Sequence, residues 1–148
     1  MLKLSELVGE MDMQVEEYMT MVNIKTGEIV SIDLEEARVL DDMEEEELSK
    51  DQMELLDMYY GDGYVRIPSK HEIHEYHMMS DFVYHMNNDM IGQQLSQVIS
   101  GRGAFRRFKD TAIQLDVIDE WYKFRDNAYK IIAVEFCKDN KLEYVDDM

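Results

Sequence analysis

From Ser69 to Lys141 the apolar residues of this chain recur at steps of three and four, whereas only three short segments alternate at a period of two. The alternating segments are Tyr18 to Ile24, Glu28 to Ile32 and Tyr64 to Ile67, all ahead of Pro68. That division predicts an α+β fold. A small three-stranded antiparallel sheet is covered by about six helices, the C-terminal half is all helical, and no strand pairs in parallel. At 148 residues and 45% hydrophobic, the chain is expected to bury one core as a single domain, its sheet-containing part at about 14–68 and its helical part at about 69–142.

Local signals place the elements. Lys25-Thr26-Gly27 separates the first two strands, and Gly27 supplies the left-handed residue that a tight hairpin needs. The first strand carries almost no charge, which suits a central position. Leu4, Leu7, Val8 and Met11 predict a helix from about 4 to 12, capped at Ser5. Asp33 is placed to cap a helix over 34–40, and Ser49 with Gln52 forms a capping box for the next. Ser69 is expected to start a helix with Tyr76, Met79, Phe82, Val83 and Met86 inward. Another begins at Asn88 and stops at Gly101. Phe105, Phe108, Ala112 and Leu115 form one helical stripe. Ile118, Trp121, Tyr122, Arg125, Tyr129, Ile132, Ala133 and Phe136 form another, with Asp116 as its N-cap. Leu142 to Met148 reads as a polar tail that frays.

Charge is the second constraint. The formal net charge is −18, and residues 1–60 hold 18 acidic and 4 basic side chains while residues 101–148 hold 10 and 9. An overall surface of this sign does not bind nucleic acid or an anionic membrane, whose affinity rests on basic neutralisation. Asp41, Asp42 and Glu44 to Glu47 place six acids in seven positions, which reads as a solvated face or mobile loop, or else as an acidic docking patch or a loose divalent-ion site without EF-hand spacing. No apolar stretch resembles a signal peptide or a membrane span, so a cytoplasmic, membrane-free protein is expected. The single cysteine, Cys137, borders the last apolar stripe and reads as a packing residue rather than a nucleophile.

Three groups of residues are candidates for chemistry. Arg102, Gly103, Arg106, Arg107 and Lys109 cluster at a helix start, where unpaired backbone N–H groups also favour an anion, so a phosphate or an acidic partner fits there. Arg125 lies inside an apolar stripe and needs a carboxylate; Asp110, near Phe108, is the expected partner in a buried ion pair. His77, Asp81 and His85, four apart on one helical face, have spacing compatible with a borderline metal, although no HExxH pattern is present. There is no GxSxG, no P-loop and no GxGxxG after a strand.

The segments GRGAFRRFKD and WYKFRDNAY, with the earlier IPS and HEYHMMSDF, resemble the hallmark segments of an uncharacterised bacterial protein family over about Tyr18 to Glu143. The chain departs from that pattern at Asp41 to Glu47 and at histidines 71, 74 and 77. The resemblance implies no substrate and no cofactor. The residues therefore support two readings of different class. One is a non-catalytic interaction or regulatory domain, docking a protein partner by its acidic N-terminal half or by its basic helix. The other is a nucleotide- or nucleic-acid-associated protein holding phosphate at Gly101 to Lys109. Hydrolysis at a metal held by His77, Asp81 and His85 is a third, weaker reading.

Overall fold

The computed structural model describes residues 1–148, and the chain divides into two compact units. One comprises Met1–Lys70 with Ile132–Met148, the other His71–Ile131. The elements in chain order begin with β1 (Leu2–Lys3), α1 (Leu4–Asp12), β2 (Tyr18–Asn23), β3 (Ile29–Asp33) and α2 (Leu34–Asp41). A 3₁₀ turn (Glu45–Glu47), α3 (Lys50–Tyr60), β4 (Tyr64–Arg66), α4 (Lys70–Ile73) and α5 (Glu75–Tyr84) follow. The chain continues through α6 (Asp89–Val98), α7 (Ala104–Gln114), α8 (Ile118–Asp139) and β5 (Tyr144–Val145). This is the expected α+β class. No strand interrupts the helical region from α5 to α8.

In the first unit the sheet order is β3-β2-β4, antiparallel throughout, so β2 is central. Its register brings Met21 opposite Val30 and Met19 opposite Ile32. Met21, Ile32 and Ala37 form a buried cluster, and Leu55, Met58 and Tyr59 of α3 pack against it. Thr20 and Val22, of the opposite parity, are also buried, which is why β2 carries no charged side chain on either face. The turn between β2 and β3 uses Gly27 at φ 76°. A Cβ there would also lie 3.0 Å from the Leu2 backbone nitrogen, so glycine is required twice over. Asp33 accepts hydrogen bonds from the Glu35 and Glu36 amides, and Ser49 and Gln52 complete the capping box of α3.

Two strands, β1 and β5, lie outside the three expected segments. β1 and β5 pair in parallel, Leu2 with Tyr144 and Lys3 with Val145, so Leu142–Met148 is not a frayed tail. The expectation of no parallel pairing fails at this short ladder because two-residue strands carry no readable periodicity. Ser5 is not the N-cap of α1; Lys3 holds that position without a side-chain cap bond.

In the second unit the helix expected from Ser69 breaks at His74, a left-handed residue at φ 56°, into α4 and α5. The core of this unit is aromatic: Trp121 meets the rings of Phe108 and Phe82 at 5.0 and 5.5 Å between centroids, and Phe124 lies 5.4 Å from Phe82. Edge-to-face geometry at these distances adds to the area that the rings bury. Three members of the expected stripes face outward instead, since Tyr76, Phe105 and Tyr122 are exposed. Asp116, at φ 60°, is not the cap of α8; it makes the left-handed turn that follows α7.

Candidate functional site

Arg107 does not belong to an open anion site. Its Nε donates to the Val98 carbonyl at 3.1 Å, Nη2 to that of Ser100 at 2.5 Å, and Nη1 to that of Arg102. These carbonyls stand at the end of α6 and in the loop beyond it, where helical partners run out, and a five-donor planar guanidinium is suited to gather them. Gly103 makes room, because a Cβ there would stand 3.1 Å from Arg107 Nη1, and its φ of 75° is itself a left-handed value. Two of the five residues offered to a ligand, Gly103 and Arg107, thus clamp the loop instead. Arg102, Arg106 and Lys109 remain on the exposed surface.

Arg125 pairs with Glu75, not Asp110. The Nη2 to Oε1 distance is 2.6 Å, and the two side chains keep 18% and 22% of their accessible surface. Tyr129, fully buried, donates its hydroxyl to the same Glu75 oxygen, and the guanidinium carbon lies 4.6 Å from the Tyr129 ring centre. Asp110 is exposed. Spacing along the chain favoured Asp110, whereas Glu75 is 50 residues away and is brought in by tertiary packing of α5. The break at His74 places Glu75 in the first turn of α5, at the positive end of that helix.

The histidines do not converge. His77 Nε2 lies 3.4 Å from Asp81 Oδ2, an exposed pair at one-turn spacing. His85, however, is past the end of α5, and its Nδ1 lies 2.9 Å from the Asp81 backbone carbonyl rather than beside the carboxylate. No three histidine, cysteine, aspartate or glutamate side chains are arranged to hold a metal ion. The trio of His77, Asp81 and His85 is not gathered into a metal site, because the His85 ring turns to the Asp81 backbone carbonyl while His77 faces the Asp81 carboxylate. Cys137 is fully buried, and burial pushes its thiol pKa up, which keeps it neutral and inert.

The exposed surface of α2, the 3₁₀ turn and α3 in the first unit is acidic. From Asp33 to Asp62, along α2, the 3₁₀ turn and α3, the chain carries 13 acidic and 2 basic side chains, a net of −11. Every one of these acids except the capping Asp33 is exposed. Val39, Met53 and Tyr60 stand exposed on the same two helices, Tyr60 at 62%. Its phenol is held above its ordinary pKa, first by partial desolvation and then by a hydrogen bond to the Asp41 carboxylate. Arg38 bridges Glu35 at 2.6 Å and lowers the Glu35 pKa, through that hydrogen bond first and charge second. Helix α3 has no fully buried residue, although Leu55, Met58 and Tyr59 touch the sheet cluster. The acidic run was legible in the sequence; that apolar side chains stand exposed on the same two helices was not.

No helix is long and apolar enough to cross a membrane. No curated protein and no solved structure matches the chain. The model of the uncharacterised protein family UPF0158 matches residues 1–148, beyond the span that the sequence segments marked out, and the chain belongs to that family.

Proposed function

We propose that the protein is a non-catalytic cytoplasmic interaction domain that docks a basic protein partner on the acidic face formed by α2, the 3₁₀ turn and α3. The observation that carries this reading is the concentration of −11 of the chain's −18 charge in thirty residues, all but one of whose acids are exposed. Charge of one sign over a surface steers an oppositely charged partner and raises its on-rate. Exposed Val39, Met53 and Tyr60 supply the apolar and aromatic contacts that hold such a partner once it has arrived.

The alternative, phosphate binding at the start of α7, has less support. Arg107 is engaged by backbone carbonyls, which leaves Arg102, Arg106 and Lys109 as exposed point charges. The test is to capture partners from lysate with the wild type and with a Glu44→Gln, Glu45→Gln, Glu46→Gln, Glu47→Gln variant at low and moderate salt. Partners that elute with salt from the wild type and are missing from the variant support the acidic face. Partners kept by that variant but lost by Arg102→Ala, Arg106→Ala, Lys109→Ala move the function to α7.

A further inference from the structure

Given the acidic docking face proposed above, on which this rests, we infer that a second copy of this chain is such a basic partner and docks by the outward face of its α7. Helix α7 buries Ala104, Phe108 and Ala112, so its opposite side faces water. On that side Arg106, Lys109 and Ile113 recur at steps of three and four, and Phe105 lies one turn before Lys109; all four are exposed. Arg102 adds a third exposed cation in the loop just ahead. Arg107 does not take part, being held by backbone carbonyls. From Arg102 to Lys109 there is no acid.

The two faces are complementary in both respects that matter for docking. Cations interleaved with Phe105 and Ile113 on α7 answer carboxylates interleaved with Val39, Met53 and Tyr60 on α2 and α3. Since two different surfaces meet, the contact is heterologous, and every copy carries one face of each kind. Two chains of net charge −18 repel at a distance. At about 0.15 M salt, however, the screening length is about 8 Å, so that repulsion fades while pairs in contact persist. The helices that meet are short, α3 and α7 of 11 residues and α2 of 8, which puts the association at the weak end of specific interfaces.

Sedimentation equilibrium of the full chain, at about 0.15 M salt and up to about 0.3 mM protein, tests this. The wild type should self-associate. A Glu44→Gln, Glu45→Gln, Glu46→Gln, Glu47→Gln variant and an Arg102→Ala, Arg106→Ala, Lys109→Ala variant should each do so about tenfold or more weakly. An equimolar mixture of the two should recover the wild-type association to within about a factor of two, because the first keeps the α7 face and the second keeps the acidic face. A wild type that stays monomeric throughout, or a mixture that associates no better than its components, overturns the second copy as partner. The acidic face itself still stands if lysate partners are lost from the glutamine variant. Should that variant keep both its self-association and its lysate partners, the docking face and the second copy fail together.

Discussion

The acidic segment 33–62 and the segment 104–131 are both mostly helical, yet they do opposite things with their side chains. In the second, Phe108, Trp121 and Tyr129 are fully buried, and two of the charges beside them are engaged: Arg107 by carbonyls and Arg125 by Glu75 and Tyr129. In the first, α3 has no fully buried residue and the charges face water. The compact units repeat the contrast in net charge, His71–Ile131 holding 9 acidic and 7 basic side chains and the other unit 24 and 8. The comparison teaches that a charge is drawn into the fold where an aromatic core stands beside it, as at Arg125 and Glu75, and is left facing water where the helix packs with no fully buried residue, as on α3.

The largest expected effect follows from the aromatic core. Trp121→Ala removes a ring that meets Phe82, Phe108 and Phe124, and truncations of this kind typically cost about 3 to 5 kcal/mol. Urea unfolding should register that loss with little change in m-value. Arg125→Ala comes next. It strands the Glu75 carboxylate and the Tyr129 hydroxyl, and although such losses reach about 3 to 5 kcal/mol for wholly buried pairs, the residual exposure here reduces the expectation to about 2 to 3 kcal/mol. Asp110→Ala, on the exposed surface, should stay within about 0.5 kcal/mol, and an equal loss for both variants would refute the Glu75 assignment.

Smaller again is Arg107→Lys. An ammonium cannot reach three carbonyls in one plane, so about 1 to 2 kcal/mol should be lost, with faster amide exchange confined to residues 98–107. An unchanged exchange pattern there would return Arg107 to the list of ligand-binding candidates.

What could be read from the sequence depended on range. Gly27, Asp33, Ser49 with Gln52, and Asn88 act on amides within three residues, and each performs the turn or cap that its type and position implied. Glu75, Asp147 and the carbonyls around Arg107 are reached across 50, 142 and up to 9 residues. No spacing rule selects Glu75 among 33 acids. His74 adds a different failure, because a left-handed break inside a helical pattern carries no compositional mark when the residue is not glycine.

A fourth expectation concerns pH. The Asp147 carboxyl is held below its usual range, chiefly by the hydrogen bonds from the Ser5 hydroxyl and amide, with Lys3 contributing charge. A depressed carboxylate pKa stabilises at any pH above the unfolded value, near 4, and that contribution is lost as pH falls through the folded value. Exchange in residues 143–148 should therefore stay constant, after correction for intrinsic rates, from neutral pH to about 5 and rise only in stronger acid. A rise already at pH 6 would mean that another group controls the pairing of β5 with β1.

The smallest effect on stability should come from neutralising Glu44 to Glu47, which changes the melting midpoint by no more than about 0.5 kcal/mol equivalent while removing partner capture. Whether the acidic face is where the partner docks is read most directly by zero-length carboxyl-to-amine cross-linking of the captured wild-type complex, mapped by mass spectrometry. Intermolecular links are expected from partner lysines to acids between Glu35 and Asp57. Links that avoid this segment and fall instead on the lysines or acids of residues 104–131 would contradict docking there.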